Sequence, residues 1–263
     1  MTTFAEMMRL EPHGPDTFVG TGPRYPWGGL YGGQIVAQAL RAASLTVEGN
    51  YRVHSLHAYF IRLGDASEPI RLEVDRIRNG RSFLTRRVVA RQSVGAILNL
   101  AASFHVAEDW VDVQIERMPA VPPPEQLTGD SWSPLMERRL LEDKAEKGRV
   151  AGWMRLAEPL GEDPAIHACA LAYLSDDLPT DAVVTAHPER PPERTPGFFW
   201  TASLDHAMWF HRPFRADEWH LHQFTCRGLI GTRGLSIGAI FDRSGRQIAS
   251  VAQEVLIRRR REN

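Results

Sequence analysis

The sequence predicts an α+β fold: two tandem repeats, each a helix followed by antiparallel strands, joined into one continuous sheet. Three observations predict it. The stretch "SLHAYFIRLGD", starting at Ser55, returns as "SLDHAMWFHRPF", starting at Ser203, with Arg62 and Arg212 at matching places. Gly95 falls opposite Gly245 when the two copies are followed onward. Between these landmarks both copies read as alternating apolar runs broken by turn signals, the pattern of antiparallel strands.

The elements follow in order. In "GGQIVAQALRAASL" the residues Val36, Ala39, Leu40 and Ala43 stand at i, i+3, i+4 and i+7, which is one face of a helix. The run "IRLEVDRIRNGRSFLTRRVVARQSVGAILNLAASFHV" reads as three strands with a glycine break and a turn. Residues 1–106 make the first repeat. Residues 107–162 read as a linker: "MPAVPPPEQ" is proline-rich, and "SPLMERRLLEDKAEKGR" has the charge of a short surface helix. The second helix is "DPAIHACALAYLSDD". Asp163 can cap it, Pro164 suits its first turn, and Ile166, Cys169, Ala170 and Tyr173 form one stripe. A second set of strands completes the repeat over 163–263. A helix wrapped by a long antiparallel sheet, twice in one chain, is the pattern of a double hotdog.

Composition excludes several function classes. With 43% apolar and 24% charged residues, the 263-residue chain can bury a full core. A net charge of −1 lacks the basic field of a general nucleic-acid binder. The N-terminus "MTTFAEMMRLEPHG" shows no signal-peptide pattern, and no apolar run is long enough to span a bilayer, so a cytoplasmic protein without a membrane partner is expected. Cys169 and Cys226 are too few and too far apart for a disulfide framework or a zinc site. The histidine pairs His54/His57, His206/His211 and His220/His222 have no third ligand near them in sequence, so no metal is expected.

Gly234-Leu235-Ser236-Ile237-Gly238 spells G-x-S-x-G, the nucleophile elbow of serine hydrolases. An elbow needs a helix after its serine. Here Leu235, Ile237, Ala239 and Phe241 alternate as a strand does, and Asp242-Arg243-Ser244-Gly245 is a turn before another apolar run. Ser236 is therefore expected in mid-strand, pointing away from the core.

The sequence resembles the acyl-CoA thioesterase II family from about Pro26 to Arg258. The resemblance is carried by "YGGQIVAQAL", "VHSLHAYFIRLGD", "RNGRSFLTRRVVARQ", "AASFH", "LAYLSD", "SLDHAMWFHRPF" and "IASVAQE", together and in order. It implies a double hotdog, hydrolysis of acyl-CoA thioesters to free acid and CoA, and a catalytic Asp, Thr and Gln. By motif position these fall on Asp176, Ser203 and Gln253, with serine where the family commonly has threonine. Of the three, Gln253 stands out unaided: Ala249, Val251, Gln253, Val255 and Ile257 share one strand face, and a buried amide without a partner costs about 1–3 kcal/mol. Asp176 ends a helix, an unfavourable place for a carboxylate, and also reads as a solvated helix end. Ser203 also reads as a backbone-bonded strand-end serine. The first repeat has Ser103 opposite Gln253 and Ser55 opposite Ser203, and no acid at the end of its helix, so one live site per chain is expected.

In the mechanism that the resemblance implies, Asp176 activates water and Ser203 and Gln253 hold it. Backbone N–H groups at Gly32, Gly33 and Gln34 are candidates for the oxyanion. Arg81, Ser82 and Phe83 are candidate substrate contacts. Arg81, Arg86, Arg87 and Arg258 to Arg261 are available for CoA phosphates. No cofactor is expected, since CoA is part of the substrate, and the chain is expected to form homo-oligomers. Two alternatives stay open: a hotdog hydratase acting on enoyl-CoA, for which Asp163 and His167 are the candidates, and a non-catalytic acyl-CoA binder.

Overall fold

A computed structural model describes residues 2–141, 147–191 and 197–260. The first half holds α1 (Phe4–Met7), β1 (Glu11–Pro12), β2 (Thr17–Gly20), α2 (Gly32–Ser44), β3 (Tyr51–Phe60), β4 (Ile70–Asn79), β5 (Phe83–Gln92) and β6 (Gly95–Val106). Next come β7 (Met136–Leu140), β8 (Arg149–Leu156), α3 (Pro164–Ser175) and α4 (Leu178–Ala186). The chain ends with β9 (Phe199–Ser203), β10 (Asp205–Phe210), β11 (His220–Ile230), β12 (Arg233–Asp242) and β13 (Gln247–Arg259).

The strands form one antiparallel sheet in the order β1-β2-β4-β5-β6-β3-β10-β13-β12-β11-β8-β7, with β9 paired to β13 as well. The repeats meet at β3 and β10, where Leu56 faces Met208 and Ala58 faces His206. This is the continuous sheet of the predicted double hotdog. The inner face carries the core, and α2 and α3 lie antiparallel against it: Tyr31 Oη at the start of α2 donates to Tyr173 O near the end of α3 at 2.9 Å, and Arg41 near the other end pairs with Asp163 at 3.6 Å. Gly33 permits that approach, because a Cβ there would lie 2.3 Å from Tyr173 O and 2.4 Å from the Tyr31 ring.

Two readings of the sequence need correction. Residues 107–162 are more than a linker, since β8 pairs with β11 and β7 with β8. The expected charged helix is replaced at its start by β7, where Met136 and Arg138 are buried and Glu137 and Arg139 are not, which is the period of a strand. Arg138 can lie inside because Asp130 and Asp177 both pair with it. Residues 142–146 of that stretch lie outside the described residues. The second helix was read with one apolar stripe, yet α3 is buried at every position from His167 to Ser175, being enclosed by the sheet and by α2. No described helix is long and apolar enough to cross a membrane.

Candidate active site

Three side chains from three elements converge at the end of α3. Asp176 is the C-cap of α3 and is 5% exposed. Ser203 is the last residue of β9, held beside β13 by pairing with Val255. Gln253 stands in mid-β13 on the inner face, fully buried. Ser203 Oγ donates to Asp176 Oδ1 at 3.1 Å and accepts from Gln253 Nε2 at 2.9 Å. The structure thus brings together the three residues singled out by the sequence.

The N-terminus of α2 faces the same carboxylate. A Cβ on Gly32 would stand 2.6 Å from Asp176 Oδ2, so only glycine leaves room for the acid there. The Gly33 backbone N–H favours the ionised carboxylate. Asp176 therefore ends one helix, against the dipole, while meeting the favourable end of another. Burial dominates: it pushes the Asp176 carboxyl up to about 7, and the bonds from Ser203, Gln253 and Gly33 oppose it. Asp177 is treated differently, since Arg138 pairs with it at 2.8 Å and Trp132 Nε1 donates to it at 2.6 Å. A carboxylate that titrates near neutrality, hydrogen-bonded to a hydroxyl and an amide, can take a proton from water at ordinary pH.

Other candidates lie elsewhere. The Gln34 backbone N–H, a candidate oxyanion donor, bonds Tyr31 O at 3.1 Å instead, and its side chain packs against Gly22 and Gln38. Arg81, Ser82 and Phe83 sit at the far end of β3: Tyr51 Oη donates to Arg81 O, Val106 N donates to Ser82 O, and Phe83 stacks on His105 at 4.2 Å. Phe60, at the near end of β3, is the residue that approaches Gly32, so these three are roughly 30 Å from Asp176 at about 3.3 Å per strand residue. Arg86 is buried and spent on Thr46, Arg78 and Asn79, so it is structural. Arg87 is exposed on β5, and Arg258, Arg259 and Arg260 are exposed at the end of β13; Arg261 lies outside the described residues.

Asp163 caps α3 through Ala165 N, and His167 bonds Gly161 O and accepts from Ala216 N, so the hydratase candidates hold the helix start in place. Among the described residues no group of three or more His, Cys, Asp or Glu could hold a metal ion.

Ser236 is in mid-strand with no helix after it, as expected, but it points inward. It is fully buried, cross-strand from Gln253 on one side and Cys226 on the other. The larger Leu235 and Ile237 take the outer face instead. The first repeat lacks the acid: at the C-cap of α2, where α3 has Asp176, stands Leu45. Ser103 bonds His54 at 2.8 Å there. Two features escaped the sequence reading. His206 is buried with Nδ1 2.6 Å from Gln253 Oε1. Beside the site, Tyr25, Trp27, Tyr31 and Trp132 form an aromatic cluster, with Trp27 half exposed and stacked on Tyr25. Its signal was the aromatic-rich "YPWGGLYGG" just before α2.

Known proteins resemble the chain along most of its length. Residues 114–257 match the model of the acyl-CoA thioesterase C-terminal domain, and residues 21–105 that of the N-terminal domain. The chain is 34% identical to acyl-coenzyme A thioesterase 8 of Homo sapiens, over 96% of this chain and 88% of that protein. It is also 34% identical to acyl-CoA thioesterase 2 of Haemophilus influenzae, over 87% of each. Among solved structures, the acyl-CoA thioesterase II TesB2 of Mycobacterium marinum is 37% identical, with a TM-score of 0.84 over 99% of this chain and 98% of that one.

Proposed function

Because this chain belongs to the acyl-CoA thioesterase family, we propose that it hydrolyses acyl-CoA thioesters through a water activated by Asp176 and held by Ser203 and Gln253. The observation that carries the residue assignment is the hydroxyl of Ser203, which bridges a raised-pKa carboxyl and a buried amide. A thioester carbonyl is already electrophilic, so a positioned base and an oxyanion site suffice. Asp176 takes a proton from water as the water oxygen bonds to the carbonyl carbon. The oxyanion faces the N-terminal first turn of α2, whose dipole favours negative charge. The C–S bond then breaks, and the CoA sulfur leaves with the proton returned by Asp176. No cofactor is required by these steps.

The aromatic cluster of Tyr25, Trp27, Tyr31 and Trp132 supplies an apolar approach beside the acid. The reading also includes assembly of several copies. Trp209, Leu235 and Ile237 are partly exposed on the outer face of β10 and β12, and an apolar patch on a sheet face suits a second copy of the chain. The absence of a membrane-length helix among the described residues is consistent with a cytoplasmic enzyme. Incubation with a panel of acyl-CoAs and a thiol reagent tests the function. CoA release by the wild type that Asp176→Asn lowers by about 10²–10⁴ is the expected result, whereas loss of enoyl absorbance or binding without turnover refutes it.

A further inference from the structure

We propose that His206 is a positioning residue: its imidazole donates to the Gln253 amide oxygen and so holds the amide in the orientation that serves Ser203 and Asp176. This rests on the catalytic reading above.

Four hydrogen bonds run end to end. Ser175 Oγ lies 2.9 Å from His206 Nε2, and His206 Nδ1 lies 2.6 Å from Gln253 Oε1. Gln253 Nε2 lies 2.9 Å from Ser203 Oγ, and Ser203 Oγ lies 3.1 Å from Asp176 Oδ1. The run leaves α3 at Ser175, crosses β10, β13 and β9, and returns to α3 at the very next residue. It ties the base to the sheet from both sides.

Its direction is a matter of proton count. A glutamine amide fits its cavity equally well either way round, and only its partners choose. Ser203 alone cannot choose. It can accept from the amide nitrogen and donate to Asp176, or donate to the amide oxygen and leave Asp176 without that bond. An ionised carboxylate only accepts, so it favours the first arrangement. In that arrangement Gln253 Oε1 faces His206 and needs a donor. Neutral imidazole with its proton on Nδ1 provides one, while Nε2 accepts from Ser175. Ser175 has a second possible acceptor in Ala172 O at 3.0 Å, so the opposite tautomer would also be satisfied at that end. The carboxylate therefore sets the direction, and the imidazole in its Nδ1–H form holds it by supplying the donor that Gln253 Oε1 then needs. Full burial keeps His206 neutral, lowering its pKa to about 4. Room for the ring on the inner face comes from Ala58, its cross-strand neighbour on β3.

The test compares His206→Asn with His206→Gln and His206→Leu by kcat and KM for CoA release, with melting temperature as a control. An asparagine amide nitrogen can take the place of Nδ1, and a glutamine amide nitrogen that of Nε2. The expected result is that His206→Leu and His206→Gln lose about 10–10²-fold in kcat with KM little changed, the scale of losing a partner that orients a reacting group, and that His206→Asn recovers most of it. In a Gln253→Ala background, His206→Leu should cost nothing further, because its effect passes through Gln253. An asparagine variant no better than glutamine overturns the proposal. So do losses that multiply in the double variant or that follow melting temperature. If Gln253→Ala retains wild-type turnover, the catalytic reading itself falls and this proposal with it. If Gln253→Ala is crippled while His206→Leu is fully active, only the role of His206 falls.

Discussion

Asp176 and Asp177 are neighbours in the chain and are held in opposite ways. Asp177 meets Arg138 at 2.8 Å, while Asp176 meets a hydroxyl, an amide and a backbone N–H, with no ion-pair partner among the described residues. The cation satisfies the residue that does structural work, by tying α3 to β7. The uncompensated one keeps its carboxyl near 7 and can both take and return a proton.

This gives a pH dependence with a definite sign. The base must be ionised, so kcat/KM should rise with pH through about 7 and level off above it. Asp176→Asn should remove that limb and lower kcat by about 10²–10⁴, the range for a lost general base. Stability should move the other way. The folded-state pKa of Asp176 is raised, so ionisation in the unfolded chain favours unfolding as pH climbs from about 4 to 7. The asparagine variant should therefore melt higher than wild type at pH 8, with the gap closing towards pH 4. A variant that melts lower at pH 8 would refute the burial argument.

Gln253→Ala should be nearly as damaging, because it removes the donor to Ser203 and empties a fully buried site. Ser203→Thr should keep activity within about threefold, a barrier change of under about 1 kcal/mol, because it keeps the hydroxyl on the same carbon. Ser203 is half-buried at a strand end, where a β-branched residue is at home. Steady-state kinetics on both variants checks the pair, and a threonine variant as impaired as Gln253→Ala would contradict it.

Much of this site was legible in the sequence, for reasons that differ by residue. Gln253 showed itself because an amide interrupts an apolar strand face. Asp176 and Ser203 carry no such mark, and only the family pattern singles them out. His206 was hidden because its neighbours "SLDHAMW" do not alternate clearly, so its face could not be read. Ser236 was given the right element and the wrong face. Leu235 and Ile237 seemed the natural core residues, but the inner face of β12 is crowded: a Cβ on Gly234 would meet Val183 of α4 at 2.4 Å, and one on Gly238 would meet Phe224 at 2.4 Å. Helix α4 was itself missed, so nothing in the sequence announced that crowding.

The inward-facing Ser236 makes the decoy test sharper. Its hydroxyl is buried beside Gln253 and makes no hydrogen bond in the structure. Ser236→Ala should keep most activity and should not destabilise the fold, since it removes an unsatisfied polar group at little cost in volume. A folded but inactive alanine variant would restore Ser236 to the reaction.

Assembly should be visible by light scattering. The two terminal strands of the sheet, β1 and β7, are short and β1 contains Pro12, so edge pairing is blunted. The outer face with Trp209, Leu235 and Ile237 offers a second copy an apolar surface to cover. A mass at least twice the 29.6 kDa of one chain is expected at micromolar concentration, and Ile237→Lys should lower it. A single-chain mass for the wild type would count against the assembly.

The last prediction concerns which oxygen attacks. Ser203 lies within the site, so direct attack to form an acyl-enzyme is the rival to direct attack by water. A serine nucleophile needs a base that takes its proton. Asp176 does accept from Ser203 Oγ at 3.1 Å, so geometry alone leaves the rival standing. The amide of Gln253 argues against it: by donating to Ser203 Oγ at 2.9 Å it occupies one of the hydroxyl's two lone pairs and lowers the nucleophilicity of that oxygen. The direct-water route leaves that bond intact throughout, with Ser203 keeping its proton. No burst of CoA should therefore precede steady turnover, and mass spectrometry of enzyme quenched during turnover should find no acyl adduct. An adduct on Ser203 would sink the direct-water mechanism and leave the thioesterase assignment in place, with Asp176 then acting as base for the serine and afterwards for the water that releases the acid.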